Sequence, residues 1–507
     1  MSDRNRMTRR SFFAASAVAA ASASLAACST AGGGEQGDSI AAVEARRPHS
    51  GRTVSATLTA ERAGVDLGGT FAETLAYDGT VPGPVLRASV GDEVVVTLRN
   101  RLPRSTSVHW HGIAMRNDMD GAAPATPDIA AGTDFTYRFS VPHSGTYWAH
   151  PHTGLDADTG LYLPVIVDDP RDPGDYDAEW IVVLDDWTDG VGSSPTQIFD
   201  GLRGGLSPAH DMRGAGDMPG MDMGTVAGVG GTGKSGLLGG DAGDVSYPYY
   251  LVNGRVAAAP SVFRTKPGQR VRIRMINAAS DTAFRVAVAG HRLTVTHTDG
   301  FPVMPVDVDA LLLGMGERYD VRLTAGDGVF ALVASAEGKN ATARALLVTG
   351  AGAPPPVDFQ HPELGGRVGT VGDFTATAAA ALAPAAADVQ LPVDMAGSMM
   401  PYEWTINGLP FPRTTPLQVR PGQRAEMRFN NTTTMWHPMH LHGHTFEVLT
   451  ADGQPGARKD TVIVLPKQQL RVAFVADNPG QWMLHCHNTY HQDAGMMTRL
   501  DYSGSAP

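Results

Sequence analysis

Four short segments set histidines two residues apart: "HWHG" from His109, "HPH" from His150, "HLHG" from His440 and "HCH" from His485. On a strand, residues i and i+2 project from the same face, so each pair can converge on one centre. Imidazole suits copper, zinc, iron and nickel. A lone buried histidine is most often just hydrogen-bonded in a core; four pairs at matched places in one chain point to metal. Cys486 lies between His485 and His487 and must face the other way, so it serves a second centre one bond path from the first. Around it stand His437 in "HPMH", His491, and Met496 in "GMM". Two histidines, a cysteine and a weak methionine are the ligand set of a blue-copper electron-transfer site, and soft sulfur favours copper over zinc.

The elements that must position these residues follow from an internal repeat. "VGDEVVVTLRN" ends at Asn100, "KPGQRVRIRMIN" at Asn277 and "RPGQRAEMRFNN" at Asn431. In each, a glycine (Gly91, Gly268, Gly422) precedes the asparagine by nine positions, and apolar residues alternate between them: Val94, Val96, Leu98; Val271, Ile273, Met275; Ala425, Met427, Phe429. Such alternation after a glycine turn predicts a half-buried strand, and three matching phases predict three copies of one β-sandwich domain. Counting nine and eleven residues on from the asparagine gives His109 and His111 in the first copy and His440 and His442 in the third. The second copy has Val286 and Val288 there, so it carries no site and is expected to act as a spacer.

The 507 residues, with 59 Gly and 35 Pro, are in keeping with a β-rich chain of several domains. A formal charge of −12 argues against a nucleic-acid partner. Residues 1–27 read as a Tat-type lipoprotein signal peptide: Arg9-Arg10 precede a short Ala/Ser-rich apolar stretch, and "LAAC" ends at Cys28, the expected site of lipidation. No other segment is apolar enough to span a bilayer. Export and a cell-envelope location outside the cytoplasmic membrane are expected, with the membrane reached only through that anchor, or a periplasmic or secreted protein if Cys28 is not lipidated. Residues 28–50 form a flexible tether, 51–171 domain 1, 172–352 domain 2 with a Gly- and Met-rich mobile insertion at 200–245, 353–387 a linker, and 388–507 domain 3.

"HWHG", "HPH", "HPMHLHGH" and "HCHNTYHQDAGMM", in that order, resemble the three-domain bacterial multicopper oxidases. The resemblance covers nearly all of the chain after the leader. It implies an all-β fold of three tandem cupredoxin-like Greek-key sandwiches, a monomer, and four copper ions. His437, Cys486, His491 and Met496 would hold the type 1 copper, His109 and His440 the type 2 copper, and His111, His150, His152, His442, His485 and His487 the type 3 pair. Electrons from a donor would reach dioxygen at a cluster between domains 1 and 3. Asp120, in "NDMDG", matches the acid this family places near the cluster as proton donor. Where copper-resistance relatives often carry a second acid this chain has Gln492, leaving Asp493 as a substitute. Domain 1 aligns Thr106, Pro151, Asp156 and Leu161 with the four type 1 ligands, so one blue centre is expected.

The insertion carries Met212, Met218, Met221 and Met223 among Asp and Gly, and "MAGSMM" adds Met395, Met399 and Met400. Thioethers favour Cu(I). With the export signal, this points to the copper-resistance subgroup, which oxidises Cu(I) to Cu(II). The alternative is a laccase-like oxidase of phenols and other small aromatic donors; a third reading, a non-enzymatic copper-sequestering lipoprotein, has no need of so complete a ligand arrangement.

Overall fold

The computed structural model describes residues 34–172, 174–204, 228–229 and 233–504. Arg9, Arg10, Cys28, Met212, Met218, Met221 and Met223 lie outside the described residues.

The three repeat strands form as the alternation requires. Glu93–Asn100, Arg270–Asn277 and Arg424–Asn431 each run parallel to the first long strand of their own domain (Thr53–Asp66, Ala178–Trp187, Val389–Met399). Each also pairs antiparallel with a later one (Asp134–Ser140, Arg318–Thr324, Gln469–Val475). Their alternate apolar residues are buried between sheets, from Val96 and Leu98 to Met427 and Phe429. The preceding glycines sit at positive φ (84°, 78° and 83°), where a side chain would be strained.

The closing asparagines clamp the next turn. Asn100, Asn277 and Asn431 are buried, and each side-chain carbonyl accepts the backbone N–H two residues on, at 2.9–3.0 Å. Their amides donate to two or three carbonyls ahead, such as Met435 and Val464 for Asn431. A buried amide satisfied this fully fixes the chain on its way to the histidine strand.

Domain 1 has two four-stranded sheets, and its second holds His109–His111 beside Gly145–His150. Domain 2 has a seven- and a six-stranded sheet; domain 3 has a six- and a five-stranded sheet, the latter holding His437–Leu441 beside Gln481–Cys486. These are three cupredoxin-like β-sandwiches, the architecture expected.

Three expectations need correction. The tether is a helix over Gly34–Arg46, and its end is docked: Glu44 accepts the Ser140 N–H at 2.8 Å and Arg47 reaches Asn478 at 2.9 Å. Part of the 200–245 insertion is also ordered. The helix Pro195–Gly204 leads into it, and short strands at Lys234–Ser235, Gly240–Asp241 and Val245–Ser246 close it, with Leu238 and Val245 buried in the core. The linker holds a short strand, Val368–Gly369, paired with domain 2, and buries Phe374. In each case a few anchoring apolar or polar contacts outweigh a composition that reads as loop.

Candidate metal centres

The sulfur site is built by one strand pair and one helical turn. Met439 pairs with Cys486 across the sheet, which sets His437 near the cysteine. The chain then returns through Thr489–Asp493, a helical turn capped by Asn488, whose side chain accepts the N–H groups of Tyr490 and His491. Cys486 Sγ lies 3.6 Å from His437 Nδ1 and 3.7 Å from His491 Nδ1, which are 3.1 Å apart. Met496 is fully buried, and its backbone is bonded to Cys486 and His491. The opposite ring nitrogens are occupied: His437 Nε2 by the Thr433 hydroxyl at 2.9 Å, His491 Nε2 by the Asp244 carboxylate at 3.0 Å. Such bonds aim the free nitrogens at a metal.

On the other side of Cys486 the eight paired histidines face one another. Nε2 of His109 and Nε2 of His440 are 3.5 Å apart. His485 Nε2 lies 3.0 Å from His442 Nε2 and 3.4 Å from His152 Nε2. The remaining three present buried nitrogens with no partner: His111 Nδ1, His150 Nε2 and His487 Nε2. Their rings are 5.0–5.7 Å apart. Orphaned buried nitrogens call for an explanation, and three imidazoles facing one another fit a bound metal. Each i, i+2 pair is thus divided between neighbouring groups: His150 from His152, His485 from His487. Burial holds His111, His150, His442, His485 and His487 well below the usual imidazole pKa, and His152 at about 3. They are neutral, as metal ligands must be.

Carboxylates orient these rings. Asp120 is buried, with Oδ2 2.9 Å from His442 Nδ1 and its backbone carbonyl accepting His109 Nδ1–H at 2.9 Å. Asp460, which no motif singled out, has Oδ1 3.1 Å from His111 Nε2, and its carbonyl accepts from His440 Nδ1 at 2.9 Å. Asp244 was also missed. It sits at the end of the insertion, where only tertiary contact with Tyr402 (2.7 Å) and His491 reveals it.

Domain 2 is more than a spacer. Gly316 (φ 82°) packs so closely that a Cβ there would lie 2.7 Å from His487 Cδ2 and 3.0 Å from His111 Cε1. In domain 1, the place matching the sulfur site is filled by buried Thr106 and Leu161 and by Asp156 paired with Arg104. Among the described residues, one group of candidate ligands contains a cysteine. Asp493 lines a cavity of about 610 Å³ together with Arg104 and Asp156. Met395 is buried in the domain 3 core, which removes it from the exposed methionines, whereas Met399 and Met400 stand out at a hairpin tip.

Three sandwiches, a site of one cysteine and two histidines and an adjoining eight-histidine cluster define the class of three-domain copper oxidoreductases. Multicopper oxidase family patterns match residues 59–172, 178–352 and 385–505. The chain is 59% identical over 503 residues to multicopper oxidase MmcO of Mycobacterium tuberculosis, covering 99% of this chain and 97% of that protein. It is 28% identical over 547 residues to a copper resistance protein A homolog of Pseudomonas syringae pv. tomato, covering 87% and 91%. The solved laccase of Botrytis aclada is similar with a TM-score of 0.71 at 25% identity, covering 90% of this chain and 89% of that one. The chain belongs to the multicopper oxidase family. It is an oxidoreductase with dioxygen as acceptor and with type 1, type 2 and type 3 coppers as cofactors.

Proposed function

We propose that this protein oxidises Cu(I) to Cu(II) outside the cytoplasm, as a defence against copper. His437, Cys486, His491 and Met496 hold the type 1 copper in this reading. His109 and His440 hold type 2; His152, His442 and His485 hold one type 3 ion, and His111, His150 and His487 the other. Bound there, the coppers supply one-electron acceptance at the sulfur site and four-electron reduction of dioxygen to two waters at the cluster. The chain supplies the conductor between them, because Cys486 is bonded in sequence to His485 of one triad and His487 of the other. Asp120 serves as proton donor, hydrogen-bonded to ligands of both type 2 and type 3 copper.

The observation that carries the substrate is the covering of His491. Its outward nitrogen meets Asp244, at the end of the segment that bears Met212, Met218, Met221 and Met223. Tyr402, bonded to the same carboxylate, closes the hairpin that exposes Met399 and Met400. Exposed thioethers on this hairpin, with further methionines earlier in the sequence that leads to Asp244, suit a soft cation better than a flat aromatic ring. The similarity to copper resistance protein A agrees with this choice. Laccases of Botryotinia fuckeliana and Trametes villosa, at 28% and 27% identity, favour phenol oxidation as the second reading. Arg9-Arg10 and "LAAC" support a cell-envelope location, with export by Tat and lipidation at Cys28; metabolic labelling with a fatty acid, lost in Cys28→Ala, tests that part. Dioxygen uptake by purified protein with Cu(I) and with a phenol tests the substrate. Deleting residues 210–224 lowers Cu(I) turnover more than phenol turnover; equal loss on both removes the case for Cu(I).

A further inference from the structure

Seven of the eight cluster histidines turn Nε2 toward their neighbours or leave it unpartnered in the cluster, as the contacts of His109, His440, His442, His152 and His485 and the orphans His150 and His487 show. His111 is the exception: its Nδ1 is the orphan, and its Nε2 is held 3.1 Å from Asp460 Oδ1 and 3.1 Å from the Thr461 hydroxyl. We propose that Arg318, in domain 2, is a positioning residue of the trinuclear centre, fixing Asp460 so that His111 offers Nδ1.

The geometry is a closed chain of contacts. Arg318 grips Asp460 with two parallel bonds, Nη1 to Oδ1 and Nη2 to Oδ2, both 2.6 Å. A bidentate pair fixes the plane of the carboxylate, not only its distance. The guanidinium is itself immobilised, since its other three donors reach the carbonyls of Thr146 (3.1 Å), Gly316 (3.1 Å) and Asp299 (3.2 Å). All five N–H groups are therefore used, in a side chain with no exposed surface. The acceptors come from all three domains: Thr146 from the first, Gly316 and Asp299 from the second, Asp460 from the third.

The glycine of "HWHG" fits this account. Gly112 has φ 84°, and a Cβ there would collide with Arg318 Nη2 and stand 2.6 Å from Asp460 Oδ2. The glycine next to His111 thus admits the pair that orients His111. The glycine of "HLHG" has another neighbour, since a Cβ on Gly443 would strike the Trp482 ring. The same spelling therefore serves two different packings.

Replacing Arg318 by Met frees the Asp460 carboxylate to turn and His111 to swing. Copper-reconstituted Arg318→Met is expected to keep its blue absorbance, because no ligand of the sulfur site touches this chain of contacts. It is expected to lose copper from the cluster, with affinity there falling about 10–100-fold, and to show altered type 2 EPR and weakened type 3 absorbance. Arg318→Lys, which keeps the charge but not the fork, restores charge without plane and recovers only part of the cluster signals. Wild-type copper content with unchanged type 2 EPR in Arg318→Met overturns the proposal. So does an equal loss of blue and cluster copper, which would make Arg318 part of the general frame. Should the Met variant fail to fold, the Lys variant decides on the same three readouts, and unaltered cluster spectra there overturn the proposal.

Discussion

Asp120 and Asp460 stand in mirrored positions about the cluster. Each uses its backbone carbonyl to hold the first histidine of its own domain's motif, His109 or His440, at 2.9 Å. Each sends its carboxylate across to the second histidine of the other motif, His442 or His111. The rings stack accordingly, His109 on His442 and His111 on His440, both at 3.7 Å. The symmetry ends at the carboxylates. Asp460 is gripped by Arg318, which pulls its pKa well below the usual carboxylate range against the effect of burial. Among the described residues, Asp120 has no such arginine, and its carboxylate faces the rings of His109 and His442.

Asp120 is the carboxylate to which the proposed function gives the proton-donor role. Asp120→Asn should keep its copper complement while turnover falls by about 10²-fold or more. Dioxygen uptake is measured beside copper content. Loss of activity in proportion to lost copper would reduce Asp120 to a ligand-orienting role.

Cys486 is buried, with both Nδ1 atoms within 3.7 Å of its sulfur. Cys486→Ser should abolish the blue absorbance and oxidase activity together. The cluster should still bind copper, because none of its eight histidines is changed. A colourless but fully active wild-type protein would contradict the type 1 assignment.

Gly316 seals the cluster from domain 2. Gly316→Ala places a methyl against His487 and His111 at positive φ, and overpacking of this kind costs about 1–3 kcal/mol. A lower melting temperature with weaker type 3 absorbance is expected, against an unchanged blue band. An unperturbed cluster would mean that the loop yields easily.

The copper-free protein should be acid-sensitive. Burial keeps the cluster imidazoles neutral in the fold, below their ordinary value of 6.5. Below that pH the unfolded chain takes up protons that the fold refuses, so stability falls as pH drops. The loss continues toward the folded values, about 3 for His152. Copper should raise stability across this range without flattening the slope, since it binds only the folded, neutral cluster and the unfolded chain still takes up the same protons. Melting curves from pH 7 to 4, with and without copper, measure it; a copper-free melting temperature that does not fall as pH drops would count against the argument.

The candidate ligands were legible in the sequence because strand periodicity is local. Two histidines two residues apart share a face wherever the strand sits, and a cysteine between them faces away. The repeat phase then located the strands, since Gly91, Asn100 and their counterparts fix a turn and its clamp by short-range bonds. What the sequence withheld was set by long-range packing. Asp460 lies 349 positions from His111, and Arg318 lies 142 from Asp460, with no motif linking them. The insertion reads as loop until Asp244 meets His491, 247 residues away. Local pattern determined which residues are candidate ligands and how many domains carry them. Only the three-domain packing decided how the i, i+2 pairs are divided, which nitrogen His111 presents, and that the domain without paired histidines helps hold the cluster, because buried charges and close-packed glycines take their meaning from partners that the chain brings together in folding.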